Sequence, residues 1–127
     1  MKRLTAQWVR KAEDDLRLGR AAETLQPPVH DQTCFHCQQS AEKYLEALLQ
    51  DWGLVPPRTH SLILMLDLLR ARDPTLRALR RKLKPLARYA VDIRYPGMRA
   101  SRRQALAALR HAEEVRRAIR AQLGLPV

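Results

Sequence analysis

The segment Tyr89–Gly97, reading YAVDIRYPG, sets an acid, an arginine and a tyrosine together where a helix runs out into a Pro-Gly turn. Turns of this kind project side chains outward instead of packing them. A guanidinium is a planar fork of donors that matches a phosphate, and a phenol ring offers a face on which a base can stack. Asp92, Arg94 and Tyr95 are therefore candidate contacts for a nucleotide or another anion, with Arg94 and Tyr95 foremost. The structural alternative is an Asp92–Arg94 arrangement that locks the turn to a neighbouring helix. His60 is a further candidate, placed after Pro56-Pro57 at the mouth of a short helix. Its alternative is a local cap or a loop hydrogen bond, since the sequence shows it no acid or base companion.

Cys34-x-x-Cys37, with His36 between and His30 nearby, invites a metal reading. A tetrahedral zinc site needs four convergent ligands. On a helix Cys34 and Cys37 share a face while His36 points well away, and no second cysteine pair follows. The cysteines read as two small buried hydrophobes, so neither a metal nor a cofactor is expected. A redox pair would want a strand leading into a helix, and no strand pattern is present. Two thiols on one helix in a reducing compartment are not expected to form a disulfide.

Helical periodicity supplies the scaffold. Leu4, Trp8, Ala12, Leu16 and Gly19, continued by Ala22 and Leu25, predict a first helix that stops before Pro27-Pro28. Asp31 is the expected N-cap of a second helix, striped by Cys34, Cys37, Gln38, Ala41, Leu45, Leu48 and Trp52 and ending near Gly53. His36, Gln39, Glu42, Lys43 and Glu46 lie off that stripe. Thr59 or Ser61 caps a third helix, whose LILMLDLL is apolar almost all round and is expected to be the most enclosed segment. Asp73-Pro74 opens a fourth helix facing inward with Leu76, Leu79, Leu83, Leu86 and Ala90, and Pro85 predicts a kink or split near Arg81–Pro85. Ser101-x-x-Gln104 is a capping box for the last helix, with inner face Ala105, Ala108, Leu109, Ala112, Val115, Ile119 and Leu123. The fold class is all-α: an antiparallel up-and-down bundle of four to five helices, one domain over residues 1–127.

Charge divides the chain. Residues 1–73 carry ten basic and ten acidic side chains and residues 74–127 carry fourteen against three, so the net +11 belongs to the second half. A basic half suits RNA, a phosphate-bearing nucleotide or an acidic partner, and its alternative is the solvated outer face of two helices. No long apolar run and no signal-like start appears, so neither a membrane association nor export is expected and the location is read as cytoplasmic.

WVRKAEDDL near the start, D-x-x-CFHCQQSAEKYLEALL, PPRTHSL, YAVDIRYPG and the final Ala-rich helix together resemble the HEPN family of small helical bundles, over roughly residues 8 to 120. In that resemblance His36 falls within the helix-two motif with Lys43 about two turns on, and both join the candidate anion-binding residues. The resemblance implies binding of a nucleotide or RNA, or service as the accessory subunit of a small nucleotidyltransferase in a toxin–antitoxin-like setting. It also implies a homodimer, which the apolar third helix supports. HEPN ribonucleases carry an arginine, four to six residues and a histidine. Here no histidine follows Arg94 in range, and Arg103 and His111 are separated by seven residues. A metal-independent ribonuclease would then need a different set, such as Arg94 with His36 or His60. A purely structural dimerising bundle is the third reading.

Overall fold

Apolar stripes broken by prolines fold into five α-helices: α1 Arg3–Thr24, α2 His30–Asp51, α3 Leu62–Arg72, α4 Arg80–Asp92 and α5 Arg102–Leu123, with a 3₁₀ segment Pro74–Leu79 before α4. The computed structural model describes residues 1–93 and 95–127, and Ala90 by its backbone alone. The roles expected for Arg94, including its pairing with Asp92, lie outside the described residues, as does the inward side chain of Ala90. No strand occurs among the described residues.

Side-chain contacts give the topology. Glu13 meets Tyr44 and Glu23 meets His30, so α1 and α2 are antiparallel. Glu13 also meets Arg116 while Arg20 meets Glu113, which sets α5 antiparallel to α1. Lys82–Glu114 and Asp73–Gln122 set α4 antiparallel to α5. The four long helices therefore run up, down, up, down, with α3 inserted between the second and third.

The core is centred on α2, which packs against α1, α3, α4 and α5. Twelve of its 22 residues are buried, against four of the 11 in α3. The expectation that α3 is the most enclosed segment is thus corrected. As a short flanking helix α3 meets, among the described elements, only α2, α4 and the 3₁₀ segment, and Leu64 and Leu68, one turn apart, stay 47% and 40% exposed. Small side chains bring α1 close to α2: a Cβ on Gly19 would already touch the Cys37 sulfur and the Thr33 carbonyl at 3.4 Å. The same crowding leaves Cys34 and Cys37 as free, fully buried thiols, and burial pushes both up to about 12.

Helix ends follow the local chemistry with two exceptions. Ser61 caps α3, Asp73 caps the 3₁₀ segment, and Ser101 with Gln104 forms the reciprocal box that opens α5. Gly53 closes α2 at φ +68°, a conformation that side chains with a Cβ resist. The first exception is Asp31, which lies inside the first turn of α2 while Val29 occupies the N-cap. Its Oδ1 instead accepts the Ala100 amide at 2.6 Å and so ties the loop before α5 to the start of α2. The second is Pro85, which sits within a continuous α4. The change of helical type falls earlier, at Leu79–Arg80, where the 3₁₀ segment ends.

Candidate functional site

The polar residues of α2 divide between two flanks. On the α1 side, Asp15 is nearly fully buried and its carboxylate receives both His36, with Nδ1 at 2.9 Å, and Lys43. Two of the sequence candidates therefore converge on one acid of α1, and His36 faces backward to α1 instead of forward to the later helices. Next to them Glu13 takes the Tyr44 hydroxyl and the Arg116 guanidinium, the latter through Nε at 2.8 Å and Nη2 at 3.2 Å. Arg120 adds a bond of 3.3 Å to the Tyr44 oxygen. Burial raises Glu13, but the Arg116 and Tyr44 hydrogen bonds and the two arginine charges outweigh it and hold the carboxyl below its ordinary value. Seven helix-borne side chains here serve to join α1, α2 and α5, and charged groups with this much mutual satisfaction have little left for a ligand.

The opposite flank of α2 opens onto a cleft of about 560 Å³. Asp31, Gln32, Phe35, Gln38, Gln39 and Glu42 form its floor along α2, Tyr89 of α4 and Ile93 just past its end form one wall, and His60 reaches in from the α2–α3 loop. These α2 positions recur at steps of three and four, which places them on one helix face. His60 Nδ1 lies 2.8 Å from Glu42 Oε1. The histidine that lacks a companion in sequence has a carboxylate in space. One turn on, burial and the Glu42 charge raise Glu46, with His60 opposing them.

Of the remaining candidates, Asp92 and Tyr95 are not in the lining of this cleft. Ile93 lines it, while Asp92 and Tyr95 on either side are exposed. His60 thus belongs to the cleft and His36 and Lys43 to the α1 seam, while Asp92 and Tyr95 are exposed at positions flanking the cleft-lining Ile93 in sequence. The basic second half also divides. On α5, Arg116 and Arg117 pair with Glu13 and Glu113, and Lys82 of α4 pairs with Glu114. On the outer face of α4, Arg81, Lys84 and Arg88 surround Pro85 with no carboxylate partner among the described residues.

A HEPN domain model matches residues 5–122. The chain belongs to the HEPN family. The fold agrees: the crystal structure of an archaeal HEPN homologue is similar with a TM-score of 0.72 at 24% identity, covering 96% of this chain and 98% of that one. No curated protein matches the chain. No helix among the described residues is long and apolar enough to cross a membrane.

Within this HEPN bundle, sequence reasoning missed Asp15 and Glu42 as partners of its candidates and Tyr89 as a wall of the cleft. Asp15 carried a signal, since it sits beside Leu16 on the stripe that also holds Ala12 and Gly19, where an acid must find a cation. Gln38, Glu42 and Glu46 recur at a spacing of four, but which helix they face is not written in that spacing. His111, which the spacing from Arg103 already sets apart from the ribonuclease pattern, is half-buried on α5, where burial and Lys82 lower its basicity.

Proposed function

We propose that this HEPN protein binds a nucleotide or RNA in the cleft between α2 and α4, as the accessory module of a small nucleotidyltransferase and in a toxin–antitoxin-like context. The observation that carries the reading is the pairing of one cleft with one free basic face. Phe35, Tyr89 and Ile93 offer apolar surface, Gln38, Gln39, Glu42 and His60 offer hydrogen-bonding groups, and Arg81, Lys84 and Arg88 stand on the outer face of α4. Ligand clefts are built in this way, from apolar walls with a few polar groups that orient the guest. Unpaired arginines add a sequence-independent attraction for phosphates.

Fluorescence anisotropy with a labelled single-stranded RNA tests this. Affinity should fall steeply with added salt, and the double variant Arg81→Ala, Arg88→Ala should lower the slope of log K against log salt by about 1 to 2. Arg117→Ala should change it little, because that side chain already faces Glu113 at 3.7 Å. No binding at low salt would remove the reading, and an equal loss from all three substitutions would replace the site by a diffuse basic surface.

The working unit is proposed to be a homodimer. The exposed Leu64 and Leu68 on α3 form an uncovered apolar ridge, the kind of surface a second copy would cover. Light scattering at tens of micromolar should report twice the chain mass, and Leu64→Glu should return it to one. A monomer under both conditions would count against the dimer.

A further inference from the structure

Among the described residues the lining of the cleft has the wrong charge for the anion that a net +11 suggests. Asp31 and Glu42 are both in its lining, and His60 is the single basic side chain there among the described residues. A phosphate in the cleft would meet two carboxylates, whereas a group that donates hydrogen bonds would meet acceptors. Phe35, 43% exposed, and Tyr89 present ring surface to the same space. Gln38 is only 5% exposed, yet it lines the cleft and its amide makes no hydrogen bond to another described residue.

Resting on the nucleotide-binding reading above, we infer that the cleft takes a nucleobase instead of a phosphate, that Glu42 selects guanine, and that Arg81, Lys84 and Arg88 take the phosphates. The selection follows from counting donors. An ionised carboxylate only accepts, with about four lone-pair sites, of which His60 occupies one on Glu42. Guanine offers two adjacent donors on its pairing edge, the ring N–H and the exocyclic amine, and so can pair with a carboxylate through two parallel bonds. Adenine and cytosine offer one amine beside a ring nitrogen that is itself an acceptor, which a carboxylate repels. Uracil offers one N–H between two carbonyls. The side chain of Glu42 is 10% exposed, so a guest that fills its free lone pairs replaces little water and gains charge-assisted bonds. A volume of about 560 Å³ has room for a purine and its ribose. Arg81, Lys84 and Arg88 stand on the outer face of α4, the helix whose Tyr89 lines the cleft, so phosphates that leave the cleft around α4 come under their positive field.

Calorimetric titration with GMP, AMP, CMP and UMP, and with short RNAs identical except for G, A or inosine at one position, tests the inference. Guanine should bind about tenfold or more tightly than the other bases, and inosine, which lacks the exocyclic amine, should lose about tenfold. Glu42→Gln should abolish the preference, with guanine RNA losing affinity relative to adenine RNA, and Arg81→Ala with Arg88→Ala should weaken every RNA by the same factor. The inosine comparison alters the ligand alone, so it decides the matter even where Glu42→Gln fails to fold. Preference in both GMP and RNA would identify a free nucleotide as sufficient, and preference in RNA alone would identify a guanine within a strand; either supports the inference. Equal binding of all bases, or of inosine and guanosine, overturns the selection of guanine while leaving nucleotide binding in place. Absence of any binding to the unaltered protein overturns the underlying reading as well.

Discussion

Asp15→Ala is expected to lower the stability of the fold by about 3 kcal/mol, because removing one member of a buried ion pair leaves the other charge uncompensated. Asp15 is 7% exposed and joins both His36 and Lys43 across the α1–α2 seam. Each partner keeps about a fifth of its side chain in solvent, which places the cost at the lower end of the range for such pairs. Adding Lys43→Met to the alanine variant should restore part of the loss, since it removes the orphaned ammonium and leaves an apolar stem to pack. Chemical denaturation of the three proteins measures this. A loss below about 1 kcal/mol, or no recovery in the double variant, would mean that water replaces the carboxylate at little cost and that the seam is not held by it.

Glu13→Gln should cost about 2 kcal/mol at neutral pH, within the range for hydrogen bonds to a charged group. The carboxylate joins Tyr44 on α2 to Arg116 on α5, and an amide cannot accept through both ends at once. The acid dependence has a definite sign. The folded-state value of Glu13 lies below its ordinary 4.5, so its contribution is complete above that pH and disappears as pH falls through the lower folded value. Glu46 acts in the opposite direction, since burial and Glu42 raise it and its protonation on acidification relieves the fold. The gap between the unaltered protein and Glu13→Gln should therefore close in acid, where the unaltered protein loses the same charge. A gap that stays constant from neutral pH into acid would show that shape, and not the carboxylate's charge, holds the three helices together.

The opening of α5 was legible residue by residue. Ser101 and Gln104 are three apart and bond to one another, so nothing distant is needed to form that cap. The inner faces of the 3₁₀ segment, α4 and α5 were legible for a similar reason: Leu76, Leu79, Leu83 and Leu86, and Ala105, Ala108, Ala112, Val115 and Ile119, repeat at the helical period and are buried where they were expected, while Leu109 and Leu123 are only partly buried. Asp31 and α3 were not. The capping chemistry of Asp31 is correct in type, but a nearby amide at Ala100 competes for its oxygen. An almost uniformly apolar helix has no stripe from which its neighbours can be read, and α3 covers less of itself than its composition suggests.

The candidate site shows the same division. Helical period placed Gln38 on the buried stripe of α2 and His36, Glu42 and Lys43 off it, and the HEPN resemblance was visible in motifs spread along nearly the whole chain. That α1 supplies Asp15 to His36 and Lys43, and that a loop supplies His60 to Glu42, depends on contacts 21, 28 and 18 residues apart in sequence. The division of the basic half is likewise tertiary. Arg116 is neutralised because α1 lies against α5, while Arg81, Lys84 and Arg88 remain free because no acidic helix covers that side of α4 among the described residues. Periodicity, caps and net charge act within a few residues or as a sum over the whole chain, so the sequence alone determined the elements, the family and the basic character. Which carboxylate meets which cation, and which charges are left for a ligand, was decided only when packing set the helices side by side, because Coulomb and hydrogen-bond energies depend on distances that the order of residues does not contain.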